Sequence, residues 1–189
     1  MSKPILRPGE RYREVKLKDD RTAILRAPDW HDLDGLLALI GELVDERAEI
    51  LRTTKPSRAG EAEWLGARLA SIEKGDLIAL LAELGGRLVG SAEVERWGQQ
   101  FPEVDHVGVV GIGILKTGRG IGLGTALLES LIQLSKEVGF KVLILDTFAT
   151  NTVAQGLYKK IGFTEVGRIP KAIHRNGNYV DLIRFSVEI

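Results

Sequence analysis

The segment Lys116-Thr-Gly-Arg-Gly-Ile-Gly-Leu-Gly-Thr125 sets four glycines at alternate positions, Gly118, Gly120, Gly122 and Gly124, with Arg119 among them. Without β-carbons a backbone can approach a ligand closely and turn its N–H groups toward it. A helix that begins here leaves its first N–H groups unpaired and gathers partial positive charge at the same point. The combination suits an anion of the phosphate kind, and Arg119 adds a full positive charge with forked donors. The plainer use of such a run is tight strand-to-helix packing. The spacing is neither G-x-G-x-x-G nor a P-loop, which would need a Lys-Ser/Thr end.

A second group follows in Asn151-Thr-Val-Ala154-Gln-Gly-Leu157-Tyr158-Lys-Lys-Ile-Gly162-Phe163. On a helix, seven residues bring Tyr158 to within roughly 20° of Asn151, two turns along. Asn151 stands where a cap residue belongs. One edge of this helix therefore presents an amide, a small residue and a phenol to a narrow ligand. The alternative is a half-buried packing tyrosine beside an ordinary cap. Among the acids, Glu93 and Glu95 share one face of a strand and Glu95 is the candidate proton acceptor, with a solvent-facing strand edge as the competing reading. His106 is a weaker candidate. The histidines at 31, 106 and 174 lack ligand spacing, so no metal is expected.

Elements to position these groups are legible in the apolar pattern. Residues 11–27 read as a hairpin around Asp19-Asp20. Pro28-Asp29 opens a helix with Leu33, Leu36, Leu37, Ile40 and Leu43 on its buried side, and a second helix covers about 61–72, ending near Gly75. Strands at 77–83 and 87–96 flank Gly85-Gly86, and a strand at 106–114 leads into the glycine turn. The strongest helix runs from about 122 to 138, with Leu127, Leu131, Leu134 and Val138 on one stripe and Gly139 as its stop. A buried strand at 141–148, a short helix at 152–161 and strands near 164–169 and 179–187 complete the order ββααββ, βαβα, ββ. That order makes a mixed sheet with helices on both faces.

Composition limits the partners. The 189 residues suit one domain, 1–189, whose first 20 residues form an N-terminal extension that is part of a hairpin. The 26 basic and 26 acidic side chains cancel, so nothing marks a nucleic-acid or anionic-membrane partner. With no cysteine there is no disulfide, thiolate metal site or cysteine nucleophile. The polar, proline-interrupted start lacks the apolar core of a secretory signal, and no apolar run is long enough to span a bilayer. A soluble cytoplasmic protein is expected.

Arg119-x-x-Gly122-x-Gly124 resembles the Q/R-x-x-G-x-G/A signature of the GNAT superfamily of acetyltransferases, and Asn151 to Phe163 is similar to the family's N-x-x-A-x-x-L-Y-x-x-x-G-F segment at every defined position. Arg26-Ala27-x-x-x-x-Asp32 also resembles the family's opening. The resemblance implies an acyl-CoA N-acyltransferase fold, an α/β (α+β) mixed sheet, mostly antiparallel, with its central strands splayed. It implies a bulge on the strand before the turn, for which Gly111 and Gly113 are suited. It further implies acetyl-CoA as co-substrate. Ile112, Gly113 and Ile114 would meet the pantetheine, and Arg119, Gly120, Ile121, Gly122, Leu123, Gly124 and Thr125 the pyrophosphate. Asn151 and Ala154 would line the pantetheine end, and Lys160 would reach the adenosine phosphates.

The reaction so implied is direct attack of a primary amine on the thioester, with Tyr158 as proton donor to the departing thiolate. The family's usual acid before the turn is missing here, since that stretch reads Val107-Gly-Val-Val-Gly111. Base duty would then fall to Glu95 or its neighbour Glu93. The other expectation is an acyl-CoA-binding regulatory domain without catalysis. The acceptor is a small amine, polyamine, amino acid or peptide amino group, chosen by the first two helices, their connection and the last hairpin. Homodimers are common among such relatives.

Overall fold

The computed structural model describes residues 5–98 and 101–189; the first four residues of the N-terminal extension, and 99–100, lie outside it. Twelve elements follow in the order read from the sequence: β1 (Arg11–Lys16), β2 (Thr22–Arg26), α1 (Leu33–Asp45), α2 (Arg58–Lys74), β3 (Leu77–Leu84), β4 (Arg87–Arg96), β5 (Val107–Ile114), α3 (Leu123–Val138), β6 (Val142–Phe148), α4 (Thr152–Ile161), β7 (Thr164–Arg175) and β8 (Asn178–Glu188).

Local chemistry sets the helix ends. Asp29 and Asp32 form a reciprocal capping box that starts a single turn before α1. The Arg26 guanidinium holds the Asp32 carboxylate at 2.6 and 2.7 Å, tying that turn to β2. Ser57 caps α2 through Gly60 N–H. Gly75, Gly139 and Gly162 end α2, α3 and α4 in left-handed conformation, each at a position where a β-carbon would be strained.

The strands form one sheet in the order β1-β2-β3-β4-β5-β6-β8-β7, with β5 and β6 the parallel pair and every other pair antiparallel. Two apolar layers cover it. Leu36, Leu39 and Leu43 of α1 pack with Leu65, Leu69 and Ile72 of α2 on one face. On the other face Leu127, Leu131 and Leu134 of α3 pack with Tyr158 of α4, Phe163 and Phe185.

The sheet opens at its centre. β5 and β6 pair only from Val107↔Val142 to Val109↔Ile144, whereas β5 stays on β4 from Arg96↔Gly108 to Gly90↔Ile114. The expected bulge is not in β5, whose register with β4 is unbroken. It lies on β4, where Ala82 faces Gly90 and Glu83 faces Leu88, so that Val89 falls between the pairs. The Val89 carbonyl instead accepts the Leu115 N–H at 2.9 Å and holds the end of β5. Splaying therefore needs no bulge in β5, because the two neighbouring strands simply diverge.

The last hairpin is longer than the sequence pattern suggested. The strand expected near 164–169 continues as β7 past Pro170, through an irregularity between Ile169 and Ile173. Lys171 takes φ 54° there. The Asp181 carboxylate accepts the Lys171 N–H at 2.9 Å, which closes the irregularity and lets pairing resume.

Candidate active site

The direction of the main-chain groups of β5 follows from its two flanking bonds. Trp97 N–H donates to Val107 C=O, and Leu115 N–H to Val89 C=O, both at 2.9 Å. Bonded pairs alternate along an antiparallel ladder, so Val109, Gly111 and Gly113 turn their N–H and C=O toward β4. Val110, Ile112 and Ile114 turn theirs toward β6, which pairs no further than Val109↔Ile144, so that Ile112 and Ile114 lie beyond the point where it departs. A cleft of about 620 Å³ fills this gap, with Val110–Ile114 on one wall and Asp146, Phe148, Asn151, Ala154 and Tyr158 on the other. Unpaired strand amides in such a cleft suit an extended, amide-bearing ligand.

The glycine turn stands at the mouth of this cleft. Ala126 N–H bonds Gly122 C=O at 3.1 Å, so the N–H groups of Leu123, Gly124 and Thr125 precede the first intrahelical bond and have no partner within the helix. Gly122 caps α3 at φ 94° with no side-chain cap bond, and Gly120 sits at φ 76°. The other two glycines serve packing. A β-carbon on Gly124 would lie 2.8 Å from Leu157 Cδ2, and one on Gly118 would lie 2.9 Å from Ile114 Cγ2. Anion cradle and close packing are thus divided between the inner pair, Gly120 and Gly122, and the outer pair, Gly118 and Gly124.

Arg119 is engaged on two sides by its neighbours. Its Nε donates to the Ile114 carbonyl at 2.8 Å and its Nη2 to Glu46 Oε2 at 2.8 Å, while the other Glu46 oxygen accepts the Lys116 N–H at 3.0 Å. The guanidinium braces the turn against the end of α1. Lys160 is exposed in the last turn of α4 and does not line the cleft.

Asn151 combines two duties. Its Oδ1 accepts the Ala154 N–H at 3.2 Å as the cap of α4, which leaves the amide donors for the cleft it lines. Tyr158, 6% exposed, packs its ring 5.8 Å from Phe185 and 6.2 Å from Phe163. Burial pushes its phenol up to about 12, so it stays protonated across the neutral range.

A second cavity of about 280 Å³ lies on the opposite face, under α1 and α2. It shares Leu43, Ile50, Gly111, Ile112 and Gly113 with the cleft, so the two meet at β5. Glu93 stands on its wall opposite Gly111, where a β-carbon would lie 3.5 Å from Glu93 Cγ. Glu95 is two residues along, opposite Val109, and outside this lining. The open space beside a glycine is what separates the two acids. Arg68 of α2 joins them, with Nη2 at 3.1 Å from Glu93 and Nη1 at 2.7 Å from Glu95. Burial raises the Glu93 carboxyl above the usual range, Arg68 opposes the rise and Glu95 adds to it. His106 is exposed and outside both cavities.

Residues 40–163 match the model of the acetyltransferase (GNAT) family. The chain belongs to that family. The GNAT domain is 27% identical over 161 residues to an L-methionine sulfoximine/L-methionine sulfone acetyltransferase of Pseudomonas paraeruginosa, spanning 85% of this chain and 91% of the relative. A ribosomal-protein-alanine N-acetyltransferase from Brucella melitensis superposes with TM-score 0.77 at 26% identity, over 87% of this chain and 99% of that one. A phosphinothricin acetyltransferase from Sinorhizobium meliloti, solved with acetyl-CoA, shares the fold with TM-score 0.78 at 20% identity, over 88% of each chain. The GNAT domain is an N-acetyltransferase by this kinship, on a sheet that is mostly antiparallel and splayed at its centre.

Several contributors were not legible in the sequence of the GNAT domain. Glu46 reads as one acid in a mixed helix end, and Arg68 as one more cation on α2. Trp64, whose ring centroid is 5.4 Å from the Arg68 guanidinium carbon, reads as packing. Trp64 and Arg68 are singled out by lining one cavity together, and Glu46 by its bonds to the glycine turn.

Proposed function

We propose that this chain transfers an acetyl group from acetyl-CoA directly to the primary amine of a small, amino-acid-sized acceptor. The observation that carries the reading is the meeting of two cavities at Gly111–Gly113, one lined by Tyr158 and the other by Glu93. Each supplies what the other lacks.

The residues of the cleft fit the co-substrate. The free N–H groups of Leu123–Thr125 suit its diphosphate, with Gly120 and Gly122 giving room for close approach. The main-chain N–H and C=O of Ile112 and the N–H of Ile114, with the Asn151 amide, suit the amide-bearing arm. Acetyl-CoA supplies an acetyl thioester; the chain supplies orientation and protons. The acceptor nitrogen bonds to the acetyl carbon as the carbon–sulfur bond breaks. Tyr158 Oη holds its proton for the departing sulfur, and its raised pKa makes a strong hydrogen bond to that sulfur a better description than early full transfer.

An amine near pKa 10 arrives protonated and must lose a proton before attack. Glu93 rather than Glu95 is the acceptor of that proton, since it lines the cavity and burial raises its basicity. Arg52 and Arg68, paired with Glu61 and with Glu93 and Glu95, are the cations of that wall that a carboxylate on the acceptor would meet. A relative named for an amino-acid sulfoximine agrees with that choice. The test is a screen of amino acids, polyamines and peptides with detection of the free thiol. Turnover of amino acids above the others supports the reading, and CoA binding without turnover of any amine overturns it in favour of a non-catalytic acyl-CoA-binding domain.

A further inference from the structure

The connection from α1 to α2 lies across the open centre of the sheet, and its tethers come from both sides of the opening. At its start, Glu46 binds the glycine turn that follows β5, through Arg119 and the Lys116 N–H. Further on, the Glu49 carboxylate accepts the hydroxyl of Thr150, in the loop between β6 and α4. Arg175, the last residue of β7, donates from Nη1 to the carbonyls of Ala48 at 2.8 Å and Ile50 at 3.4 Å, with its guanidinium carbon 5.6 Å from the Phe148 ring centroid. The strap's own backbone bonds are few and local, Ala48 N–H to Leu43 C=O and Ile50 N–H to Ala48 C=O among them.

The same strap forms wall in both cavities. Ala48, Glu49, Ile50 and Leu51 line the cleft, and Ile50 and Arg52 line the acceptor cavity. A segment that walls two sites and is fixed from outside can couple them, because the first ligand to press on it bears the entropy cost of ordering it.

We propose that Arg175 is a positioning residue that clamps residues 46–52 across the splayed strands, and so couples occupancy of the cofactor cleft to the shape of the acceptor cavity. A guanidinium suits the task because it carries several donors in a fixed plane and stacks on an aromatic ring. Losing it removes the Arg175 donor from the Ile50 carbonyl and one of two donors from the Ala48 carbonyl, and cuts a link to the far half of the sheet. The coupling half of the proposal rests on the acetyl-CoA reading; the clamp itself does not.

The experiment is amide hydrogen exchange on the wild-type chain and on Arg175→Met and Arg175→Lys, each with and without CoA. Without ligand, Arg175→Met speeds exchange within 46–52 by on the order of 10-fold or more, leaving the α3 amides as in wild type. Arg175→Lys, which keeps a cation and fewer donors, restores part of the protection. With CoA, wild type gains protection in 46–52, and Arg175→Met gains much less while its CoA dissociation constant rises about 10-fold. Equal exchange in 46–52 for wild type and Arg175→Met without ligand overturns the clamp, and so does faster exchange spread evenly over α3. Equal gains with CoA overturn the coupling. Calorimetric titration of wild type with CoA tests the acetyltransferase reading separately. Should Arg175→Met fold poorly, Thr150→Val removes the neighbouring tether and is expected to loosen the same residues.

Discussion

Arg119 Nη2 and Glu46 Oε2 are 2.8 Å apart, so the cation embedded in the glycine turn is already paired with the end of α1. On the proposed reading, its charge would act on a diphosphate through the turn it braces, with the main-chain N–H groups at the start of α3 as the direct donors. Arg119→Gln and Glu46→Gln are each expected to weaken CoA binding by on the order of 10-fold, and the double variant to cost little more than either alone. Calorimetry on the three variants reads this. Fully additive losses would mean that Arg119 meets the ligand independently of Glu46.

Tyr158 holds its proton to about 12 because its ring is buried among Phe163 and Phe185. Tyr158→Phe is expected to lower kcat by about 10²-fold or more with acetyl-CoA affinity nearly unchanged. The same burial has a stability signature. An ordinary phenol in the unfolded chain ionises near 10, so above that pH the unfolded state releases the proton first. Stability present below pH 10 is then lost as pH rises toward 12, by up to about 2.7 kcal/mol. Denaturant titrations at pH 9 and 11 should show that slope in wild type and a flatter one in Tyr158→Phe.

Glu93 must be ionised to accept a proton, and burial raises its pKa. The acidic limb of kcat/KM is therefore expected above the ordinary glutamate range, with activity falling as pH falls through it. Arg68→Met removes the opposing charge and moves the limb to higher pH, whereas Glu95→Gln removes a like charge and moves it lower. Glu93→Gln should cost about 10²-fold or more in kcat/KM. An unchanged limb in Arg68→Met would detach that limb from Glu93.

Gly124 is expected to matter through packing. Its substitution by Ala sets a methyl 2.8 Å from Leu157 Cδ2 and should destabilise by about 1–3 kcal/mol, measured by urea unfolding. Shortening the neighbour, in Gly124→Ala with Leu157→Val, should recover part of the loss. Recovery would be absent if Gly124 were needed only for its backbone conformation.

The comparison of sequence with structure turns on particular groups. Local signals were sufficient wherever the cause is local. The Leu127, Leu131 and Leu134 stripe marks α3, Gly139 and Gly162 mark helix ends, and Asn151 to Tyr158 marks a capped helix with its amide and phenol on one edge. The strand read near 164–169 runs on to Arg175, because pairing with β8 resumes at Ile173 after an irregularity that the distant Asp181 carboxylate closes at the Lys171 N–H.

By itself the sequence determined the order of elements, the helix whose first N–H groups follow a glycine turn, and the placing of Asn151, Ala154 and Tyr158 along one edge of a helix, because periodicity, caps and turns act over a few residues. Tertiary structure alone decided that β5 and β6 part after Val109, that Glu93 and not Glu95 reaches the cavity, and that Arg119 is bound by Glu46. Those outcomes depend on which side chains meet across the sheet from positions far apart in the chain. No spacing along the chain encodes such meetings; they follow from how two helical layers close over an opened sheet.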